Sequence, residues 1–223
     1  MKRAPLMNKL LLLLLLFSPL LCGADLSTYR GFQFGMSLNA AVKHSGMDIS
    51  EVTMIHERPA RIQELTWNPG RFSGASRDRD PVQQVLFSFY NGQLSRMVVD
   101  YDIDKTNGLT SEDIIEAISA RYGPALRPTV ETLLPSASFS EGVKVVAGWE
   151  DTDYSLNLVQ SPYGLKFGLI AFSKRLDSLA QASIASGIHL DEQEAPQRQK
   201  VEEQNAQSKL DKTRLVNKPH FRP

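Results

Sequence analysis

The chain has 223 residues with 25 basic and 25 acidic side chains, so its formal net charge is zero. This balance argues against a nucleic-acid-binding protein, which usually presents a basic surface. Residues 25–175 carry nearly all of the apolar content that follows the N-terminal segment. That length suits one ordinary domain, or two small subdomains that share a core.

Residues 1–24 have the organisation of a cleavable export signal. Cations at positions 2, 3 and 9 precede an apolar run from Leu10 to Phe17, and small residues stand before a cleavage position after Ala24. The run is too short to span a bilayer, which needs about 20 residues. Loss of the three cations leaves 22 basic residues against 25 acidic ones. We therefore expect an exported protein of bacterial type, periplasmic or secreted, without a transmembrane helix.

Cys22, the single cysteine, leaves a second processing route open. Cleavage before Cys22 with lipid attachment would tether the chain to a membrane. A lipobox needs Gly, Ala or Ser before the cysteine, but Leu21 stands there, so ordinary cleavage is favoured. The mature chain then has no cysteine, and an exported protein without disulfides needs a genuine hydrophobic core.

The first predicted unit, residues 25–107, opens with an extended segment and a helix after Gly35. Ser37 can cap this helix, apolar residues at i, i+3 and i+4 give it one buried face, and Gly46 can end it in the left-handed conformation. Strands are predicted over 52–57, 61–67, 85–89 and 94–101, with a loop over 68–81. Asn91-Gly92 favours a two-residue hairpin turn between the last two strands.

The second predicted unit, residues 108–175, opens with a better specified helix. Thr110 and Asp113 resemble a capping box, and Gly123-Pro124 stops the helix. Its apolar stripe comprises Ile114, Ile115, Ile118 and Tyr122. Strands are predicted over 129–133, 143–149, 154–159 and 165–172, and alternation predicts that Val143, Val145, Ala147 and Trp149 share one face.

Equivalent landmarks recur in the two units. The glycines before the helices, at 35 and 108, differ by 73, and the hairpin glycines, at 92 and 164, differ by 72. These offsets favour an internal duplication over chance similarity. The sequence therefore predicts an α+β fold of two tandem helix-plus-antiparallel-meander units that form one body. Trp67 and Trp149 are interpreted as core residues at equivalent places.

A helix opened by Gly-Met-Ser or Gly-Leu-Thr, closed by Gly-Pro and followed by a meander, resembles the small outer-membrane assembly lipoproteins of the SmpA/OmlA type. The tandem arrangement resembles β-lactamase inhibitor protein. The resemblance covers about residues 31–173 and implies this fold, together with a role in binding other proteins rather than catalysis. No binding residue of either family can be matched to this chain.

The tail, residues 176–223, begins with a helical stripe that should dock on the body: Leu176, Leu179, Ala180, Ile184 and Ile188. Beyond Asp191 the chain is polar, and Pro196 is expected to interrupt the helix or to begin a second one. We expect residues 192–215 to form an exposed helix or a disordered arm.

No constellation in the sequence indicates catalysis or a cofactor. The mature chain lacks a cysteine nucleophile and a Gly-x-Ser-x-Gly elbow, and its four histidines do not pair at metal-ligand spacing. The closest metal motif runs from Asp102 through Asp104 to Gly108, with Asp113 beyond it. Its glycine is one place late and a strand precedes it, so helix capping is favoured over calcium binding.

Protein binding is therefore the function that the sequence favours. Arg and aromatic residues, which dominate protein interfaces, are concentrated in two loops: Arg71, Phe72, Arg77, Arg79 and Phe139. We expect a non-enzymatic envelope protein that binds another, unidentified envelope protein through its sheet face or these loops. The alternative is a small-ligand carrier or an enzyme whose site is assembled only in three dimensions.

Overall fold

The computed structural model describes residues 25–71, 80–126, 133–134, 143–161, 166–220 and 222. Its main element is an antiparallel sheet of eight strands, which are β3 Thr53–His56, β4 Ile62–Trp67, β5 Val82–Tyr90, β6 Gln93–Tyr101, β7 Leu133–Leu134, β8 Val143–Glu150, β9 Tyr154–Gln160 and β10 Phe167–Ser173. A small hairpin of β1 (Thr28–Tyr29) and β2 (Phe32–Gln33) stands apart. The helices are α1 Leu38–Ser45, α2 Ile103–Thr106, α3 Ser111–Tyr122 and α4 Lys174–Asn217, with short 3-10 turns at Ile49–Glu51, Pro69–Arg71 and Lys218–His220.

The sheet joins two meanders through their last strands. Its order is β3-β4-β5-β6-β10-β9-β8-β7, so β6 and β10 pair in the middle. Helix α1 precedes the first meander and α3 precedes the second. The predicted α+β fold, with two helix-plus-meander units in one body, is confirmed. Its origin by duplication stays a prediction.

The helix caps and the turn of the central hairpin form at the residues predicted from the sequence. The Ser37 hydroxyl accepts a hydrogen bond from the Ala40 N–H at 3.3 Å, and Thr110 and Asp113 form the predicted capping box. Asn91 and Gly92 both have positive φ, as a two-residue turn of this hand requires. These local predictions are confirmed.

The main core lies between one face of the sheet and a layer formed by α1, α3 and the β1–β2 hairpin. Val85, Phe87 and Phe89 alternate onto this face and are fully buried, as predicted. From the helical layer, Ala41, Ile114 and Tyr122 belong to the same buried cluster. The sheet is thus covered on this side by elements that precede each meander.

The prediction that Val143, Val145, Ala147 and Trp149 share a face is wrong. A bulge in the pairing of β8 with β9 falls between Val145 and Ala147, and an extra residue at a bulge reverses which face the following side chains occupy. Val145 therefore packs on the second face of the sheet, whereas Ala147 and Trp149 lie in the main core. The side chain of Val143 lies outside the described residues.

Helix α4 crosses the second face of the sheet over β5, β6 and β10. A small apolar cluster lies on this face and consists of Val98, Val145, Val159 and Ile170. Of the predicted docking stripe, Leu176 and Ala180 are buried, but Leu179 and Ile188 are 41% and 50% exposed. Asp177 and Gly187 are buried on this side of the helix as well. The pairing of Asp177 with Arg96 and the close approach of Gly187 to the backbone of Arg58 determine the orientation of the helix on the sheet.

The interruption expected at Pro196 is also wrong, since α4 continues through it to Asn217. Proline removes one helical hydrogen bond, which costs most where the freed carbonyl is buried. The carbonyl four residues earlier belongs to Glu192, which is exposed, so water can satisfy it. The tail is therefore helical, one of the two states expected for it.

Gly187 lets α4 approach the β3–β4 connection closely, and its replacement tests that contact. A Cβ atom at this position would lie 2.8 Å from the carbonyl oxygen of Arg58. We expect Gly187→Ala to lower the free energy of unfolding by about 1–2 kcal/mol, because overpacking outweighs the roughly 1 kcal/mol that alanine adds to a helix. Urea denaturation measures this loss. Ser186→Ala, on the exposed side of α4, is the control, and equal stability of the two variants would contradict the contact.

Candidate functional site

The binding residues predicted from the sequence lie almost entirely outside the described residues. Phe72, Arg77, Arg79, Phe139 and Cys22 fall in segments that the structure does not describe. Arg71 ends the 3-10 turn Pro69–Arg71, and its side chain is likewise outside the described set. Protein binding by these loops and lipid attachment at Cys22 therefore stay predictions.

In the candidate calcium loop, the carboxylates accept hydrogen bonds from backbone N–H groups. Asp102 caps α2 by accepting hydrogen bonds from the N–H groups of Asp104 and Lys105. Asp113 accepts from the N–H of Thr110 at 2.8 Å, and this bond holds the pKa of Asp113 below its usual value. Helix capping, the interpretation favoured from the sequence, is what the structure shows. Among the described residues, no three His, Cys, Asp or Glu side chains cluster as metal ligands would.

Two paired arginines anchor the first half of α4. The guanidinium of Arg96, on β6, donates two hydrogen bonds of 2.7 Å to the carboxylate of Asp177. Beyond the sheet edge, Arg58 donates two bonds of 3.1 and 2.9 Å to Glu194. The Arg96–Asp177 pair is largely buried, with side chains 20% and 11% exposed. These contacts define a docked half of α4, residues 174–194.

The second half of α4 projects from the body. Every residue from 195 to 220 is exposed, and we call residues 195–217 the projecting half. Four large apolar side chains lie on it without cover: Val201, Leu210, Leu215 and Val216 are 54–73% exposed. At about 100° per residue, two of them, Val201 and Val216, lie on the same side of the helix as Leu176, Ala180 and Gly187. The apolar face that docks on the sheet therefore continues past its edge.

A second feature is a cavity of about 520 Å³ between α3, the α2–α3 connection and the β1–β2 hairpin. Tyr29, Thr106, Ile114 and Tyr122 are buried in its wall. Leu109, Ala117 and Arg121 are exposed at its opening. Its lining is mostly apolar, and its volume falls within the range of about 300–1,000 Å³ that is usual for ligand pockets.

The charged groups around this cavity have different partners. Arg30 donates two 2.7 Å hydrogen bonds to Asp80, and this pairing holds the pKa of Asp80 below its usual value. Burial raises the pKa of Tyr29 and of Tyr101, so both phenols are neutral at pH 7. Arg121 lies over the ring of Tyr122 at 5.5 Å and, within the described part of the chain, has no carboxylate within salt-bridge distance.

Comparison of the chain with protein-family models, with curated proteins and with solved structures finds no match. The resemblance to the SmpA/OmlA-type lipoproteins and to β-lactamase inhibitor protein therefore stays a prediction. In the part of the chain that the structure covers, no helix has both the length and the apolar content needed to cross a membrane.

Sequence reasoning did not find the cavity or the direction of the projecting half. The walls of the cavity come from Tyr29, Tyr101 and the α3 stripe, which are far apart along the chain. Ile118 of that stripe lines the cavity and is only partly buried, but burial is a property of the fold, so the sequence offered no signal for the cavity. The polar composition of residues 192–215 did indicate an exposed tail.

Proposed function

We propose that this protein is an exported, non-enzymatic envelope protein that binds another protein, and that the projecting half of α4 makes the contact. The observation that carries the proposal is the apolar face of α4, which is docked on the body in the first half of the helix and exposed from residue 195 onward. A partner that packs against this face beyond the edge of the sheet would bury Val201 and Val216.

The energetics of an isolated helix support this role. A helix that is exposed on all sides gains little stability from packing, and short helices alone are marginal in water. The docked half supplies the helical nucleus, so the projecting half is already helical before a partner binds. Less conformational entropy is then lost on binding. Such preorganisation lowers the cost of binding.

Both faces of the sheet are covered at its centre, the first by α1 and α3 and the second by α4. We therefore propose the projecting half, rather than a sheet face, as the place of the partner contact. The loop over 68–81, with Arg71, Phe72, Arg77 and Arg79, stays as a second contact.

The test is site-specific photocrosslinking in cells. A photoreactive residue at Val201 or Val216 is expected to give one discrete crosslinked product. The matched controls carry it at Glu203 and Arg214, which are exposed on the opposite side of the helix. Equal labelling from both sides, or no discrete product from either, would contradict the proposal.

A further inference from the structure

The cavity beside α3 combines an apolar interior with three charged residues in its lining, Arg30, Asp113 and Arg121. Its interior is formed by Tyr29, Tyr101 and Ile114, and its opening by Leu109, Ala117 and Arg121. Apolar cavities of this size bind apolar molecules well, because water gains few hydrogen bonds inside them. Leu109 is 46% exposed at the opening, so an apolar ligand would also cover surface that now faces water.

The charges at the opening favour an anionic head group. The charge of Arg30 is balanced by Asp80 through two hydrogen bonds. The carboxylate of Asp113 is held by Thr110 at the start of α3. Arg121 attracts the exposed carboxylate of Asp25, but no described carboxylate lies within salt-bridge distance of it. Its guanidinium can therefore bind a carboxylate with two parallel hydrogen bonds.

We propose that this cavity binds a single-chain amphiphile with a carboxylate head, such as a free fatty acid. The chain lies against the tyrosine and isoleucine side chains of the interior, and the carboxylate pairs with Arg121. The site is independent of the protein contact proposed for α4, because it lies on the opposite side of the sheet. The protein would then bind a small amphiphile as well as a protein partner.

The test is calorimetric titration of the purified protein with decanoate below its micelle concentration. Saturable binding of one decanoate per chain is expected, with weaker binding of decanol and still weaker binding of decyltrimethylammonium. Binding of the cationic amphiphile as tight as that of decanoate would overturn the assignment of the head group. Absence of saturable binding would overturn the site.

Two pairs of variants locate the ligand. Ala117→Trp fills the opening and should weaken decanoate binding at least about tenfold, a loss of roughly 1.4 kcal/mol. Ala120→Trp, on an exposed position of the same helix outside the lining, should bind normally. Arg121→Gln should weaken decanoate about fivefold without changing decanol, whereas Arg175→Gln, exposed on α4, should change neither. Circular dichroism confirms that each variant is folded, and equal affinities within either pair would overturn the proposal.

A segment of this chain is the competing occupant. Residues 72–79 precede Asp80 and Pro81 in the sequence, and Pro81 belongs to the cavity lining. If a variant without residues 73–78 binds decanoate and the intact chain does not, the cavity belongs to that segment and the proposal is overturned. Equal binding by both proteins supports an amphiphile site.

Discussion

Replacement of Trp149 by alanine is expected to lower the free energy of unfolding by about 3–5 kcal/mol, the usual cost of removing a buried tryptophan. The Trp149 side chain is 2% exposed in the main core. Its indole N–H donates a 2.9 Å hydrogen bond to the carbonyl of Gly123, at the end of α3. One residue thus fills the core and ties α3 to β8. Guanidinium denaturation followed by circular dichroism measures the loss.

Two further variants separate these contributions. Trp149→Phe keeps most of the apolar volume but leaves the Gly123 carbonyl without its donor, so a smaller loss of about 1–3 kcal/mol is expected. Trp67→Ala, at the equivalent place in the first unit, should cost less than Trp149→Ala because Trp67 is only partly buried. If Trp149→Ala lowers the free energy of unfolding no more than Trp67→Ala does, the deeper burial of Trp149 does not govern its contribution to stability.

Replacement of Arg96 by alanine is expected to lower the free energy of unfolding by about 2–3 kcal/mol. The change leaves the carboxylate of Asp177 largely buried without its two charged donors, and an unpaired buried charge is costly. The loss should appear mainly as undocking of α4, because the pair joins this helix to β6. Hydrogen exchange of the amides of residues 174–194 should speed up more than that of the sheet.

The control is the exposed Arg58–Glu194 pair, which also anchors α4. Arg58→Ala removes a pair whose side chains are 56% and 40% exposed, so it should lower the free energy of unfolding much less than Arg96→Ala does. A double replacement, Arg96→Met with Asp177→Leu, should recover much of the loss, because two apolar side chains leave no charge unpaired. If Arg58→Ala costs as much as Arg96→Ala, burial does not govern the anchoring of α4.

The anchoring of α4 also bears on the proposed protein contact. The docked half sets the direction in which residues 195–217 leave the body, so Arg96→Ala should weaken partner binding without changing any residue of the projecting half. Gly187→Ala should weaken the docking of α4 as well, because it disturbs the contact of the helix with the β3–β4 connection. Arg96→Ala and Gly187→Ala therefore test whether partner binding depends on the docking of α4, separately from the stability of the sheet.

Much of the local structure could be predicted from the sequence because its causes are local. Ser37 and Thr110 cap their helices with their own side chains, and Asn91-Gly92 supplies the positive φ angles of the hairpin. In β5, strict alternation placed Phe87 and Phe89 in the core. These features depend on residues within a few positions of one another, where propensity and hydrogen bonding act directly.

Only the tertiary structure decided the features that depend on distant contacts. The bulge in β8 shifted Val145 to the second face, because the pairing with β9 rather than the apolar pattern determines register there. Leu179 and Ile188 were left exposed because Arg96 and the backbone of Arg58 fix how α4 rotates on the sheet. The cavity exists only where α3 and the β1–β2 hairpin meet, so no single segment of the sequence could reveal it.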